Sequence, residues 1–415
     1  MAICMDSVPE YFDGIQLLTA TMAILCGVYF VTCRTRLFSS TEACAIAACK
    51  AGIFLSYFLF YYFGIESCQL DDVSYATRGD SLCRRSYPYP NLYIQICGWG
   101  MRLLGPLYAS PVSVNVIVSA IIACISSCIA IFLMKWDKRK AKIFFLFCCF
   151  HPEVAVWSSI YNFKDTYVLM YYVTALYGVQ KIFQKEFLKA GLCLMSAWWF
   201  VLYFRIYVPT FFYITFLIWS GYYLGRSVIR TKNVLSLCFF ACISTICFQY
   251  FQVLFFNMID FLKYYWIESL TRMGNAGGGF TAEGSVVVVM GILRSFGVHI
   301  THYVPSFIVA FNLATIPFLL IGGYQFMVRN KEEKLVSFII ILTGVVMGVS
   351  ASVPEIGTSA RHRYQIFFTT AICQFLGLSW TIEKWPLIKK QLQEWGVFFA
   401  YKASSLLRKR RSSCS

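Results

Sequence analysis

Apolar residues in this chain run together in long blocks, and polar residues collect in the short segments between them. The blocks are Ile15–Cys33, Ala43–Gly64, Val112–Met134, Ile143–Trp157, Tyr167–Val179, Leu192–Phe204, Thr210–Leu224, Val234–Phe256, Tyr303–Phe326, Leu335–Val353 and Gln365–Ile382. Most approach the roughly 17–25 residues that carry a helix across a bilayer core. No block alternates with period two, so a membrane barrel is not indicated. In hydrocarbon a chain must satisfy its own backbone, which leaves helices. The pattern therefore predicts an all-α integral membrane protein with about eleven transmembrane helices, residues 1–415 forming one polytopic domain. Several middle blocks are short, and the stretch from His151 to Asp165 reads as a broken or strongly bent segment.

The polar connections differ in charge. Lys and Arg cluster in every second one: Arg34 and Arg36, then Lys135–Lys142, Lys181–Lys189, Gly225–Lys232, Val328–Lys334 and the tail from residue 383 to 415. Basic connections stay on the cytoplasmic side, so this reading puts the N-terminus outside and the tail inside. The first outer loop then spans 65–111 and a long outer segment spans 260–302. "MAICMDSVPEYFDG" is acidic and lacks the basic start of a cleavable signal peptide. Within the first outer loop, "YPYPNLYIQICGWGMRLLGPLY" reads as an amphipathic helix in the interface, with Tyr87, Tyr89, Tyr93 and Trp99 at headgroup depth.

Composition narrows the class. Of 415 residues, 59% are hydrophobic and 13% charged, about half the charge of a soluble domain. The net charge of +16 is accounted for by the cytoplasmic connections and a tail suited to anionic lipid, so nucleic acid is not needed as a partner. Most of the 18 Cys lie in apolar blocks and act as small apolar residues. Cys68 and Cys83 share the first outer loop, where they either pair as a disulfide or stand as two thiols. Four scattered His and the absence of a CxxC pattern assign no cofactor and leave a divalent metal open but not favoured. Lys50, alone within the second block, is expected to snorkel toward the cytoplasmic surface.

The outer side collects both carboxylates and guanidinium groups. The first loop carries "DDVSYATRGD" with Asp71, Asp72, Tyr75 and Arg78. Lys164 and Asp165 precede the fifth block, Arg205 ends the sixth, and "ARHRYQ" places Arg361, His362, Arg363 and Tyr364 at the mouth of the last. A carboxylate can take a proton from an attacking hydroxyl. Arg binds phosphate bidentately and stabilises it as it leaves. Together they suit group transfer from a lipid phosphate outside the cytoplasm.

The order of these features resembles the GT-C superfamily of polytopic glycosyltransferases, in particular the protein-mannosyltransferase and aminoarabinose-transferase type and their bacterial surface-polysaccharide relatives. "DDVSY" has the form of their acidic pair, "SYPYPNLYIQICGWGMRLLG" is similar to their amphipathic loop helix, "HPEVAVWSSIYNFKDTYVLMYY" to a Pro and small-residue segment before Lys-Asp, and "ARHRYQIFF" to a terminal Arg-x-Arg-Tyr element. The resemblance implies Asp71 as catalytic base, with Asp72 orienting Arg groups or, in metal-using relatives, a divalent ion. It implies Arg361, Arg363, Tyr364 and Lys164 on the donor phosphate. Tyr75, Arg78, Asp165, Arg205 and His362 are further candidates for substrate contact. The family's soluble C-terminal domain has no counterpart, and 189–302 matches nothing specific.

The expected function is transfer of a sugar from a polyprenyl-phosphate (undecaprenyl) donor to a hydroxyl of a lipid-linked glycan or lipid, at the outer face of a bacterial inner membrane, in surface-polysaccharide or O-antigen synthesis. The alternative is an O-antigen polymerase that joins lipid-diphosphate-linked repeat units. A flippase or other transporter ranks below both, because the sequence places few charges inside the blocks and shows no internal repeat.

Overall fold

The computed structural model describes residues 14–62, 92–105, 109–162, 164–204, 303–329 and 364–412. These residues form helices and no strand. In chain order they are α1 (Gly14–Arg34), α2 (Ser40–Tyr62), α3 (Leu92–Leu104), α4 (Ala109–Met134), α5 (Lys138–Phe150), α6 (Pro152–Ser159), α7 (Asp165–Phe183), α8 (Phe187–Phe204), α9 (Tyr303–Arg329) and α10 (Phe367–Ser412). Blocks expected at Thr210–Leu224, Val234–Phe256 and Leu335–Val353 lie outside the described residues, as does the segment 260–302.

Three described helices are long and apolar enough to cross a membrane: α1, α4 and, within α9, Ala310–Val328. The α5–α6 pair becomes a fourth if the bend of 47° between them is one broken span. The large apolar side chains left uncovered, such as Ile15 and Leu18 on α1, Leu188 and Leu192 on α8 and Leu320 on α9, are what a lipid-facing surface carries.

Helix α4 is the central staff. It packs against α1, α3, α5, α6 and α7. In its most apolar stretch 61% of residues are buried, against 17% for α1. Small residues allow this. Ser113, Ser119 and Ser127 return their hydroxyls to carbonyls three or four residues back, so neighbours meet a thin surface with few unpaired donors. Gly27 of α1 leaves the space that Ile117 of α4 fills.

Lys50 departs from expectation. It does not snorkel to the surface. It is fully buried, and its Nζ donates to Ser119 Oγ of α4 at 3.0 Å. Position explains this: Lys50 lies well inside α2 on the face turned to α4, among Ala47, Ala51 and Phe54, all buried.

The basic end of the bundle follows simple capping rules. Ser39 and Glu42 form a reciprocal box at the start of α2, with Ser39 N donating to Glu42 Oε2 at 2.9 Å and Glu42 N donating to Ser39 Oγ at 3.3 Å. Asp137 caps α5 by accepting from Lys140 N at 2.9 Å. Lys142 pairs with Glu42, and Lys140 with Glu383 at 3.2 Å. These contacts join α2, α5 and α10 where the sequence concentrates cations.

Helices α9 and α10 touch through their backbones. A Cβ at Gly322 would collide with the Cys373 carbonyl, and one at Gly377 with the Phe318 carbonyl. Glycine is what lets two helices approach this closely. Beyond the expected block Gln365–Ile382, α10 continues through Pro386 to Ser412, so the start of the basic tail is helical.

Two outcomes follow. Gly322→Ala should lower stability by about 1–3 kcal/mol, the usual cost of overpacking, whereas Gly323→Ala, with nothing within 4 Å, should change it little. Thermal unfolding of the detergent-solubilised protein measures both, and equal effects would refute the backbone contact. The second concerns Glu42. Its carboxyl is held below the ordinary value by the Lys142 ammonium and the Ser39 backbone N–H. A lowered folded value means the stabilisation is present above the ordinary carboxylate value and fades as pH falls through the lowered one. The gap in melting temperature between wild type and Glu42→Gln should therefore be open at neutral pH and close below about pH 4. A gap independent of pH would count against the pairing.

Candidate functional site: a buried polar hub between residues 151 and 167

The expected block Ile143–Trp157 is two helices, not one. Pro152 disfavours helical backbone in the residue before it, and His151 adopts φ −57°, ψ 136°. Helix α5 ends there and α6 begins, with Pro152 in its first turn. His151 caps the new helix, its Nδ1 accepting from Glu153 N at 3.2 Å. A backbone donor at Nδ1 places the ring proton of a neutral His on Nε2. That nitrogen lies 3.1 Å from Gln374 Oε1 on α10, and Gln374 Nε2 in turn donates to Thr315 Oγ1 of α9 at 2.9 Å. From the same part of α9, Asn312 Nδ2 donates to Glu153 Oε1 at 3.0 Å. Thr315 Oγ1 lies 3.1 Å from the Asn312 carbonyl, which closes a ring of polar contacts joining the helix break to α9 and α10. Phe147, Phe311 and Phe367 surround the imidazole, with ring centroids 5.3, 5.0 and 4.8 Å away.

The turn after α6 is held from the other side. Tyr93 of α3 donates its hydroxyl to Asn162 Oδ1 at 2.7 Å, and Asn115 Nδ2 of α4 donates to the Tyr93 oxygen at 3.2 Å. Cys97 Sγ also lies 3.7 Å from Asn162 Oδ1. Tyr93 was expected at headgroup depth. Helix α3 forms where expected and Trp99 is 53% exposed, but Tyr93 is fully buried. Helix α3 turns Tyr93, Ile94, Cys97 and Met101 into the core, and Asn162 supplies the partner that a buried phenol needs.

Helix α7 starts where the turn ends. Lys164 is its first cap, and Asp165 stands in its first turn, where a carboxylate suits the helix dipole. Asp165 is fully buried and accepts from Gln365 Nε2 on the segment that leads into α10. Tyr364, also fully buried, has the Thr166 hydroxyl beside it. Two turns further along α7, Tyr172 OH and Thr369 Oγ1 are 2.9 Å apart. Tyr167 meets Tyr93 edge-on at 5.5 Å, which connects this group to the Asn162 group.

Three predicted site residues thus gain a place: Lys164, Asp165 and Tyr364. Lys164 and Asp165 stand at the head of α7, and Tyr364 lies beside Thr166 and Asp165. Asp165 and Tyr364 are not at an open rim, however; the α7–α10 contact covers them. Charge is also not confined to the outer edge, since Lys50, Glu153 and Asp165 are all buried. Asp71, Asp72, Tyr75, Arg78, Arg205, Arg361, His362, Arg363, Cys68 and Cys83 lie outside the described residues. Among the described residues no three or more His, Cys, Asp or Glu gather as a metal site.

Residues that the sequence reading passed over are Asn115, Asn162, Asn312, Thr315, Gln365 and Gln374. A signal was present for most of them: they are neutral polar side chains inside or beside apolar blocks, where each needs an internal partner. The identity of the partner had no signal.

Chemically, the hub offers an ammonium, a phenol, a carboxylate and several amides at one end of the bundle, opposite the basic turns. Comparison with protein-family models, with curated proteins and with solved structures yields no match.

Removing the Asp165 partner should be costly. Gln365→Leu takes away one buried hydrogen bond to a carboxyl, an expected loss of about 1–3 kcal/mol. A melting temperature unchanged from wild type would show that the α7–α10 contact does not depend on this bond.

Proposed function

We propose that the protein is a membrane glycosyltransferase that moves a sugar from a polyprenyl-phosphate donor to an acceptor hydroxyl on the outer side of a bacterial inner membrane. The observation that supports this reading most is the bond from Gln365 to Asp165, which joins segments 200 residues apart. It brings Asp165 and Gln365 together, one from each of two stretches in which the sequence resembles GT-C enzymes. Tyr364 then lies beside Asp165, the residue that follows Lys164, which agrees with a shared phosphate site.

In this reading Asp71 takes the proton of the acceptor hydroxyl as its oxygen bonds to the anomeric carbon. The bond from that carbon to the phosphate oxygen breaks, and the lipid phosphate leaves with the electron pair. Arg361 and Arg363 stabilise the leaving phosphate, with Lys164 beside them. Asp72 orients the Arg groups. The polymerase alternative differs in the leaving group, a lipid diphosphate in place of a monophosphate.

The burial of Lys50 and Glu153 inside the bundle favours a second reading. Ionisable groups within membrane segments often mark substrate or ion pathways in transporters.

The test is complementation of a deletion strain with wild type, Asp71→Asn or Arg363→Ala at matched membrane levels, reading the surface glycan and the released lipid. Wild type should restore a glycan. Asp71→Asn should lower it by a hundredfold or more, within the general range for loss of a catalytic base. Released lipid monophosphate supports the single-sugar transferase, and diphosphate the polymerase. Full complementation by Asp71→Asn would refute the catalytic scheme. Accumulation of an unflipped lipid-linked sugar on the cytoplasmic side of the deletion strain would select the transporter.

A further inference from the structure

Tyr93, Asn115 and Asn162 form a polar cluster within the apolar part of the bundle, each fully buried. They come from three separate places: α3, α4 and the turn between α6 and α7. The Tyr93 hydroxyl is used twice, donating to Asn162 at 2.7 Å and accepting from Asn115 at 3.2 Å. A phenol has one proton to give, so its donor is committed to Asn162.

Asn162 lies two residues before Lys164. On the other side, the Lys164 carbonyl accepts from Tyr167 N at 3.0 Å and from Val168 N at 3.2 Å. The Lys164 carbonyl is therefore held by the first turn of α7, while Asn162, two residues earlier in the sequence, is tied through Tyr93 to α3 and α4. Apolar side chains would fill the same space without fixing the register of this turn. A directed hydroxyl–amide bond does fix it.

We propose that Tyr93, braced by Asn115, is a positioning residue that acts through Asn162 to place the Lys164 ammonium for a phosphate monoester headgroup. The inference rests on Lys164 as a donor-phosphate group. Tyr93 itself touches no substrate in this scheme. Its effect on binding passes through Lys164 alone.

The experiment is a double-mutant cycle on the full-length protein in nanodiscs, with undecaprenyl phosphate as the probe and undecaprenol as the control for tail binding. Inorganic phosphate in competition separates headgroup recognition from free-anion binding. Tyr93→Phe removes one oxygen and keeps the ring against Tyr167. Lys164→Ala should weaken undecaprenyl phosphate binding on the order of tenfold, the loss of about 1.4 kcal/mol. Tyr93→Phe should weaken it by a similar factor. The double variant should be no weaker than Lys164→Ala alone, because both changes remove the same contact. Undecaprenol binding should not change. If Tyr93→Phe yields little folded protein, Asn115→Ala takes its place in the cycle, since it removes only the brace. Additive losses, or an unaltered affinity in Tyr93→Phe, overturn the positioning role while leaving Lys164 in place. Unaltered affinity in Lys164→Ala overturns the reading of Lys164, and the positioning role with it.

Discussion

A buried polar segment interrupts the apolar bundle, and most of its polar groups find their partners within the protein. That pairing organises the described structure. Between His151 and Tyr167 the chain breaks one helix, makes a short second one, turns and starts a third. His151, Glu153, Asn162 and Asp165 are all buried along the way. An unpaired polar group in such surroundings costs about as much as several good apolar contacts contribute. Helices α3, α9 and α10, with the segment leading into α10, are accordingly placed so that Tyr93, Asn312, Gln374 and Gln365 meet those groups, and Asn115 of α4 braces Tyr93.

The two ends of the bundle have different chemistry. At one end, cations sit on exposed turns and are matched by Glu42, Glu186 and Glu383. These pairs are partly exposed and contribute little each. At the other end the polar groups are buried and mostly neutral. Amides and hydroxyls there hold their direction, which is what a site needs if it is to place a phosphate. The helix break supplies the irregular backbone that a membrane protein tolerates only where protein covers it.

Much of this was legible beforehand. Long apolar blocks announce helices, and α1, α2, α4, α7 and α8 begin and end close to where the blocks do. Pro152 announces the break. The acidic Asp165 next to Lys164 announces a helix start, since a carboxylate suits the first turn of α7. What misled was the treatment of single polar residues by type. Lys50 has a long chain and was expected to reach a surface; Tyr93 is amphipathic and was expected at one. Each instead finds one precise oxygen inside, Ser119 for Lys50 and Asn162 for Tyr93.

Hydrophobic blocks, basic connections and a proline at the break are properties of neighbouring residues, so the sequence alone determined the helical class, the basic end and the interruption at His151. Which residues complete the buried groups is a property of residues far apart along the chain. Gln365 meets Asp165, Asn312 meets Glu153 and Gln374 meets His151 only after α9 and α10 pack against the break. The tertiary structure decided those pairings, because a buried hydrogen bond is set by distance and direction in space, and neither is written in the order of residues.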